Sequence, residues 1–139
     1  MNVLIDTNVV LDVLGKREPF VQHSVEILML AAQQKLSASI TAYTITDIYY
    51  LTKKYISDRE DIKRTILGLI EVLDVVDVTR SDCIKAFELS MTDYEDALLA
   101  QCAKRTKATY IITRDTKDFT SSPVEAITPK VFLNRFFSE

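Results

Sequence analysis

The chain has 139 residues, 47% hydrophobic and 27% charged, with a formal net charge of −3. That length and balance imply one soluble globular domain over residues 1–139 with a core of its own. They argue against a broad basic surface for non-specific duplex binding. No apolar run approaches the roughly 20 residues of a membrane span, and the N-terminus lacks a basic start and a cleavage site, so a cytoplasmic location with no membrane partner is expected.

The elements follow from periodicity and punctuation. Asn2 to Asp6 is a strand, and a short helix follows from Thr7 to Leu14 with Gly15 as its stop. Pro19 suits the first turn of a second helix, along which Val21, Val25, Leu28 and Ala32 recur at helical spacing. Ser37 to Ile40 is a second strand, and Thr41 or Thr44 caps a helix running to about Ile56. Ser57 or Asp58 caps a fourth helix with Ile62, Ile66, Leu69, Ile70 and Leu73 as its stripe. Asp74 to Val78 is a third strand. Ser81 or Asp82 starts a helix carrying Ile84, Phe87 and Met91, and Thr92 or Asp93 caps the next, which reaches about Thr106. Tyr110 to Thr113 is an apolar strand expected at the sheet centre. Val124 to Ile127 is the last strand, and Pro129 opens a C-terminal helix. Short strands alternating with helices imply right-handed crossovers and a parallel sheet covered on both faces.

Several groups carry little functional signal. Lys16-Arg17, Lys53-Lys54, Lys63-Arg64 and Lys104-Arg105 with Lys107 read as solvated helix faces and ends. Cys83 and Cys102 read as reduced and buried, without a disulfide. His23 is the only histidine, so a His-rich zinc site has little support. A Ser-His-Asp triad would have to use His23, and nothing near it in sequence suggests a nucleophile. Tyr43, Tyr49, Tyr50 and Tyr55 read first as core packing.

The acids carry more. In an open parallel sheet, ligands sit beyond the carboxyl ends of the strands. Asp6 ends the first apolar strand in Leu4-Ile5-Asp6-Thr7-Asn8-Val9, where it can also cap the following helix; Asn8 can ligate or orient. Asp115 follows a late strand in Thr113-Arg114-Asp115, with Thr113 placed to donate its hydroxyl to a carboxylate. Asp93, Asp96, Ala97 and Ala100 share one helix face, on which Asp93 suits an N-cap and small residues leave room beside Asp96. Asp47 sits inside a helix, where an exposed acid is common. Converged carboxylates repel unless a cation or proton compensates, so a hard divalent ion is a natural occupant.

Taken together, Asp6-Thr7-Asn8 after the opening strand, Asp96-Ala97 leading into a helix, and Thr113-Arg114-Asp115 with Phe119 four residues later resemble the PIN domain, a metal-dependent nuclease family that includes the VapC-like ribonuclease toxins. The resemblance covers essentially the whole chain. It implies a three-layer α/β/α fold with a central, mainly parallel sheet of about five short strands. It also implies metal-binding acids at Asp6, Asp96 and Asp115. Asp47 stands where the family usually has a glutamate, one methylene longer. The implied activity is hydrolysis of RNA phosphodiesters with Mg²⁺ or Mn²⁺, which activates water and neutralises phosphate charge. Implied partners are RNA, a cognate antitoxin and a second copy of the chain. Arg114 or Lys16-Arg17 could hold flanking phosphates. The alternative is a catalytically weak or inactive PIN-like module that binds RNA or a protein. A haloacid-type phosphotransfer domain fits less well because Asn8 stands where it would want a second Asp, and a receiver because Arg114-Asp115 stands where it would want a lysine after a late strand.

Overall fold

A computed structural model describes residues 1–138. Five strands form one parallel sheet: β1 Asn2–Ile5, β2 Ser37–Thr41, β3 Asp74–Val76, β4 Tyr110–Ile112 and β5 Ala126–Ile127, in the order β3-β2-β1-β4-β5. Leu4 of β1 pairs with Ser39 on one side and Ile111 on the other. The chain fills one half of the sheet, then crosses over to fill the other. The reversal lies between β1 and β4, the crevice where such sheets take ligands.

Seven helices cover the two faces: α1 Thr7–Leu14, α2 Val21–Ala32, α3 Ala42–Leu51, α4 Arg59–Val72, α5 Arg80–Ala86, α6 Tyr94–Arg105 and α7 Pro129–Phe136. Strand alternation decides which face each side chain joins. Val3, Ile5 and Ile112 pack with Val9, Val10, Ile27, Ile48 and Phe132 from α1, α2, α3 and α7. Leu4 and Ile111 point the other way, onto Leu99, Ala100, Cys102 and Ala103 of α6. The alanines at 97, 100 and 103 are buried, and their small size lets α6 lie close to the sheet. No helix among the described residues is long and apolar enough to cross a membrane.

The departures from expectation are local. Pro19 lies outside the second helix, which begins at Val21, because the turn is made by Phe20 and Val21 N–H groups donating to the Arg17 carbonyl. α3 stops at Leu51 and continues as a 3-10 turn, Thr52–Lys54. Thr79, rather than Ser81 or Asp82, caps α5 through a reciprocal capping box with Asp82. That helix ends at Ala86, so Met91 falls in a loop and Phe87 is largely exposed. β4 lies inside the sheet but one place from its centre, which β1 holds. Cys102 is buried, its thiol pushed up to about 12 by burial and by Asp82, while Cys83 is only partly buried; both are free. Tyr50 and Tyr55 are exposed, and Tyr49 stacks edge-on against Tyr50 beneath Lys53, so these three are not core.

Candidate active site

Asp6 leaves β1 just as the chain turns into α1, and both readings of it hold at once. One carboxylate oxygen caps the helix, accepting from Thr7 N–H at 2.8 Å. The other accepts from Thr113 Oγ1 at 2.9 Å. Thr113 is fully buried beyond the end of β4, and its hydroxyl also accepts from the Asp115 N–H at 3.1 Å. Asn8 closes the loop: its Nδ2 lies 3.1 Å from Asp115 Oδ2, 3.2 Å from Thr113 Oγ1 and 3.5 Å from Asp6 Oδ2. Its Oδ1 accepts from the Arg114 N–H at 3.3 Å. Two acids 109 positions apart in sequence are thereby fixed to each other through one amide and one hydroxyl.

Asp96 approaches from the other side, in the first turn of α6. Asp93 is the N-cap of that helix, accepting from the Asp96 N–H at 3.0 Å, so it positions the helix start. The cleft wall holds Asp6, Asn8, Asp47, Asp93, Glu95, Asp96, Arg114 and Asp115 together. Asp47 reaches the cleft from α3 and lines it together with Glu95. Tyr43, one turn earlier on α3, donates to the Glu95 carbonyl at 3.4 Å and so ties α3 to the start of α6.

Crowding of like charge shows in the acid strengths. Burial, then repulsion from Asp93, Asp6, Asp118 and Glu95, pushes Asp96 up to about 7. Burial raises Asp6, opposed by the Thr113 and Thr7 hydrogen bonds and reinforced by Asp115 and Asp118. Burial and Asp47 raise Glu95. Such a cluster favours a bound cation or bound protons. The donors are all oxygen, as Mg²⁺ and Mn²⁺ prefer. Among the described residues, no three acids converge as a ready-made cage. A hard ion that keeps several of its waters needs only one or two direct carboxylates, so the donor set fits it.

Three acids in or beside the site escape a sequence reading. Glu95 looks like an ordinary first-turn acid, and Asp118 like a turn residue. Asp12 is fully buried and forms ion pairs with Arg17 Nε at 2.8 Å and Arg114 Nε at 2.6 Å. Its signal was present: it lies four residues after Asn8 on the same helix face, among apolar neighbours, where an unpaired acid is rarely tolerated.

A sequence profile of the PIN domain matches residues 2–117. Among curated proteins, none matches the chain. Solved structures do. VapBC2 from Rickettsia felis, bound to a DNA fragment from its promoter, superposes with a TM-score of 0.70 at 18% identity, covering 92% of this chain and 98% of that one. A toxin-antitoxin complex from Klebsiella pneumoniae gives a TM-score of 0.69 at 22% identity, covering 91% and 97%. The Mycobacterium tuberculosis toxin VapC20, which cleaves the sarcin-ricin loop, gives 0.62 at 13% identity, covering 78% and 86%. At these identities the structures speak for the fold, and the profile, extending from β1 to just beyond Asp115, speaks for descent: the chain belongs to the PIN domain family.

Proposed function

We propose that this chain is a metal-dependent endoribonuclease, the toxin of a toxin–antitoxin pair, with Asp6, Asp96 and Asp115 as principal metal-binding acids and Asp47 as the fourth acid of the site. The observation that carries this is the junction of Asp6 and Asp115 through Asn8 and Thr113, with Asp96 facing them across the cleft. Family membership and likeness in fold to VapBC complexes and to a toxin that cleaves the sarcin-ricin loop support the same reading.

Bound Mg²⁺ or Mn²⁺ would supply an activated water and charge neutralisation at the leaving oxygen. The chain's own residues prepare that chemistry. Thr113 and the Thr7 amide direct hydrogen bonds at the Asp6 carboxylate, favouring its ionised form. Asn8 fixes the orientation of Asp115, and the Asp93 cap fixes where α6 begins. Asp47 and Glu95 line the cleft edge together, and burial with the nearby Asp47 carboxylate holds Glu95 above the usual carboxylate range. No side-chain nucleophile is needed, so Ser, Cys and His carry no covalent role. RNA in single strands or loops is the expected substrate, because its backbone can enter an open cleft. A second copy of the chain and an antitoxin are the expected protein partners.

The test is titration of purified protein with Mg²⁺ and Mn²⁺ against mixed RNA, beside Asp6→Asn and an EDTA control. Metal-dependent cleavage lost in the variant supports the assignment. Equal cleavage by Asp6→Asn overturns the site, and no cleavage by folded wild type favours the binding module.

A further inference from the structure

Beside the acidic cleft lies a cavity of about 340 Å³ with the opposite character. No acid lines it; Phe20, His23, Ser24 and Lys130 do, and Arg114 borders both it and the cleft. Its size falls at the lower end of small-ligand pockets. Three features point to what it takes.

The first is the arginine pair. Arg17 and Arg114 both turn their Nε atoms to the single buried carboxylate of Asp12, so the trio carries a net positive charge. Arg17 is held further by a hydrogen bond from its terminal nitrogen to the Asn8 carbonyl at 3.3 Å. The two contacts to Asp12 are ion pairs by distance and make no hydrogen bond at Nε, so the terminal N–H groups remain for an anion, and their fork suits phosphate. The second is a stacking wall. The Arg114 guanidinium lies 4.2 Å from the centre of the Phe20 ring, and aromatic rings and guanidinium planes are the surfaces on which unpaired bases stack. The third is Ser24. Its hydroxyl is fully buried and has no hydrogen-bond partner among the described residues. Such a group is costly to leave unpaired, and a ligand's polar edge relieves it.

We propose that Arg17, Arg114 and this cavity form a nucleotide subsite: the two guanidiniums take a phosphate next to the scissile bond, and the cavity takes the attached base. Asp12 is the positioning residue that aims both arginines. The proposal rests on the ribonuclease reading of the adjoining cleft, and it gives that cleft a direction, since RNA leaves the acids past Arg114 towards α2 and α7.

The probe is adenosine monophosphate, titrated in EDTA into ¹⁵N-labelled protein, with inorganic phosphate as a second ligand. The nucleotide shifts the amides of Phe20 to Ser24 and Arg114, and Phe20→Ala weakens it about tenfold, the effect of losing one base stack. Phosphate shifts Arg17 and Arg114 alone. In RNA cleavage, Phe20→Ala raises KM about tenfold and leaves kcat within about twofold. Asp12→Asn weakens both probes; should that variant not fold, Phe20→Ala and Ser24→Val carry the test. Nucleotide shifts that miss the cavity, or that persist unweakened in Phe20→Ala, overturn the subsite even where wild type cleaves RNA. Nucleotide bound as described by a wild type that cleaves nothing sinks the cleft reading alone.

Discussion

Replacing Thr113 by valine removes one hydroxyl and almost no volume. That hydroxyl donates to Asp6 at 2.9 Å and accepts from the Asp115 amide at 3.1 Å and from Asn8 at 3.2 Å, all in a fully buried position. A hydrogen bond to a charged group contributes about 1.5–3 kcal/mol, and each partner stranded without water adds to the loss. Asn8 and Asp115 keep their mutual contact and face the open cleft, so water replaces part of what they lose. A net destabilisation of about 2–3 kcal/mol follows. The change also frees Asp6 and Asp115 to move apart, and loss of such a supporting contact typically costs about 10–100-fold in metal affinity or activity. Thr113→Ser keeps the hydroxyl and should recover most of both. The assays are urea denaturation in EDTA and Mn²⁺ binding by calorimetry. Wild-type Mn²⁺ affinity in a folded Thr113→Val protein would refute the claim that this hydroxyl organises the site.

Metal affinity should depend on pH through Asp96. With its carboxyl at about 7, Mn²⁺ binding weakens about 30-fold from pH 8 to pH 5.5 if that proton alone competes, and about tenfold once partial exposure is discounted; an affinity flat across that range contradicts the assignment. The metal-free protein behaves in the opposite sense. Asp96 holds its proton more tightly folded than unfolded, so stability falls as pH rises from about 4 through 7, visible in thermal melts in EDTA. Asp82→Ala should cost about 3 kcal/mol in urea unfolding, because it breaks the capping box with Thr79 and strips Arg105 of a buried partner at 2.9 Å; a loss below about 1 kcal/mol would make that pair ornamental. Asp47→Ala should lower kcat at least about tenfold while Asp47→Glu retains activity, and an Asp47→Ala enzyme of wild-type rate removes Asp47 from the site.

How much of this was legible in sequence depended on whether the signal was local. The strand starts at Asn2, Ser37, Asp74 and Tyr110, the Asp6, Asp58 and Asp93 caps and the Pro129 start of α7 depend on residues within a few positions of one another, and the structure places them where those patterns put them. One boundary departed although its signal is local: Thr79 takes the start of α5 from Ser81 and Asp82 through a capping box that spans only three positions. Among the acids, placement beyond strand ends brought Asp6 and Asp115 to one crevice, as topology requires. That Asp47 and Glu95 meet on one cleft wall depends on how α3 lies against α6, and no spacing within either helix encodes it. For Asp12 the burial is legible from its apolar helix face, but its second partner, Arg114, arrives from the far end of the chain beyond β4.

The neighbour order of the sheet also bears on how the chain is made. β4 completes the crevice by docking beside β1 after 104 intervening residues, and Asp115 arrives only with it. A growing chain that has emerged as far as residue 100 has Asp6, Asp47 and Asp96 in hand but neither Thr113 nor Asp115 to set against them. Closure across so long a stretch comes late in folding, since its entropy must be met before its contacts form. On the ribonuclease reading proposed above, the chain thus lacks a complete site for most of the time it spends being synthesised on RNA.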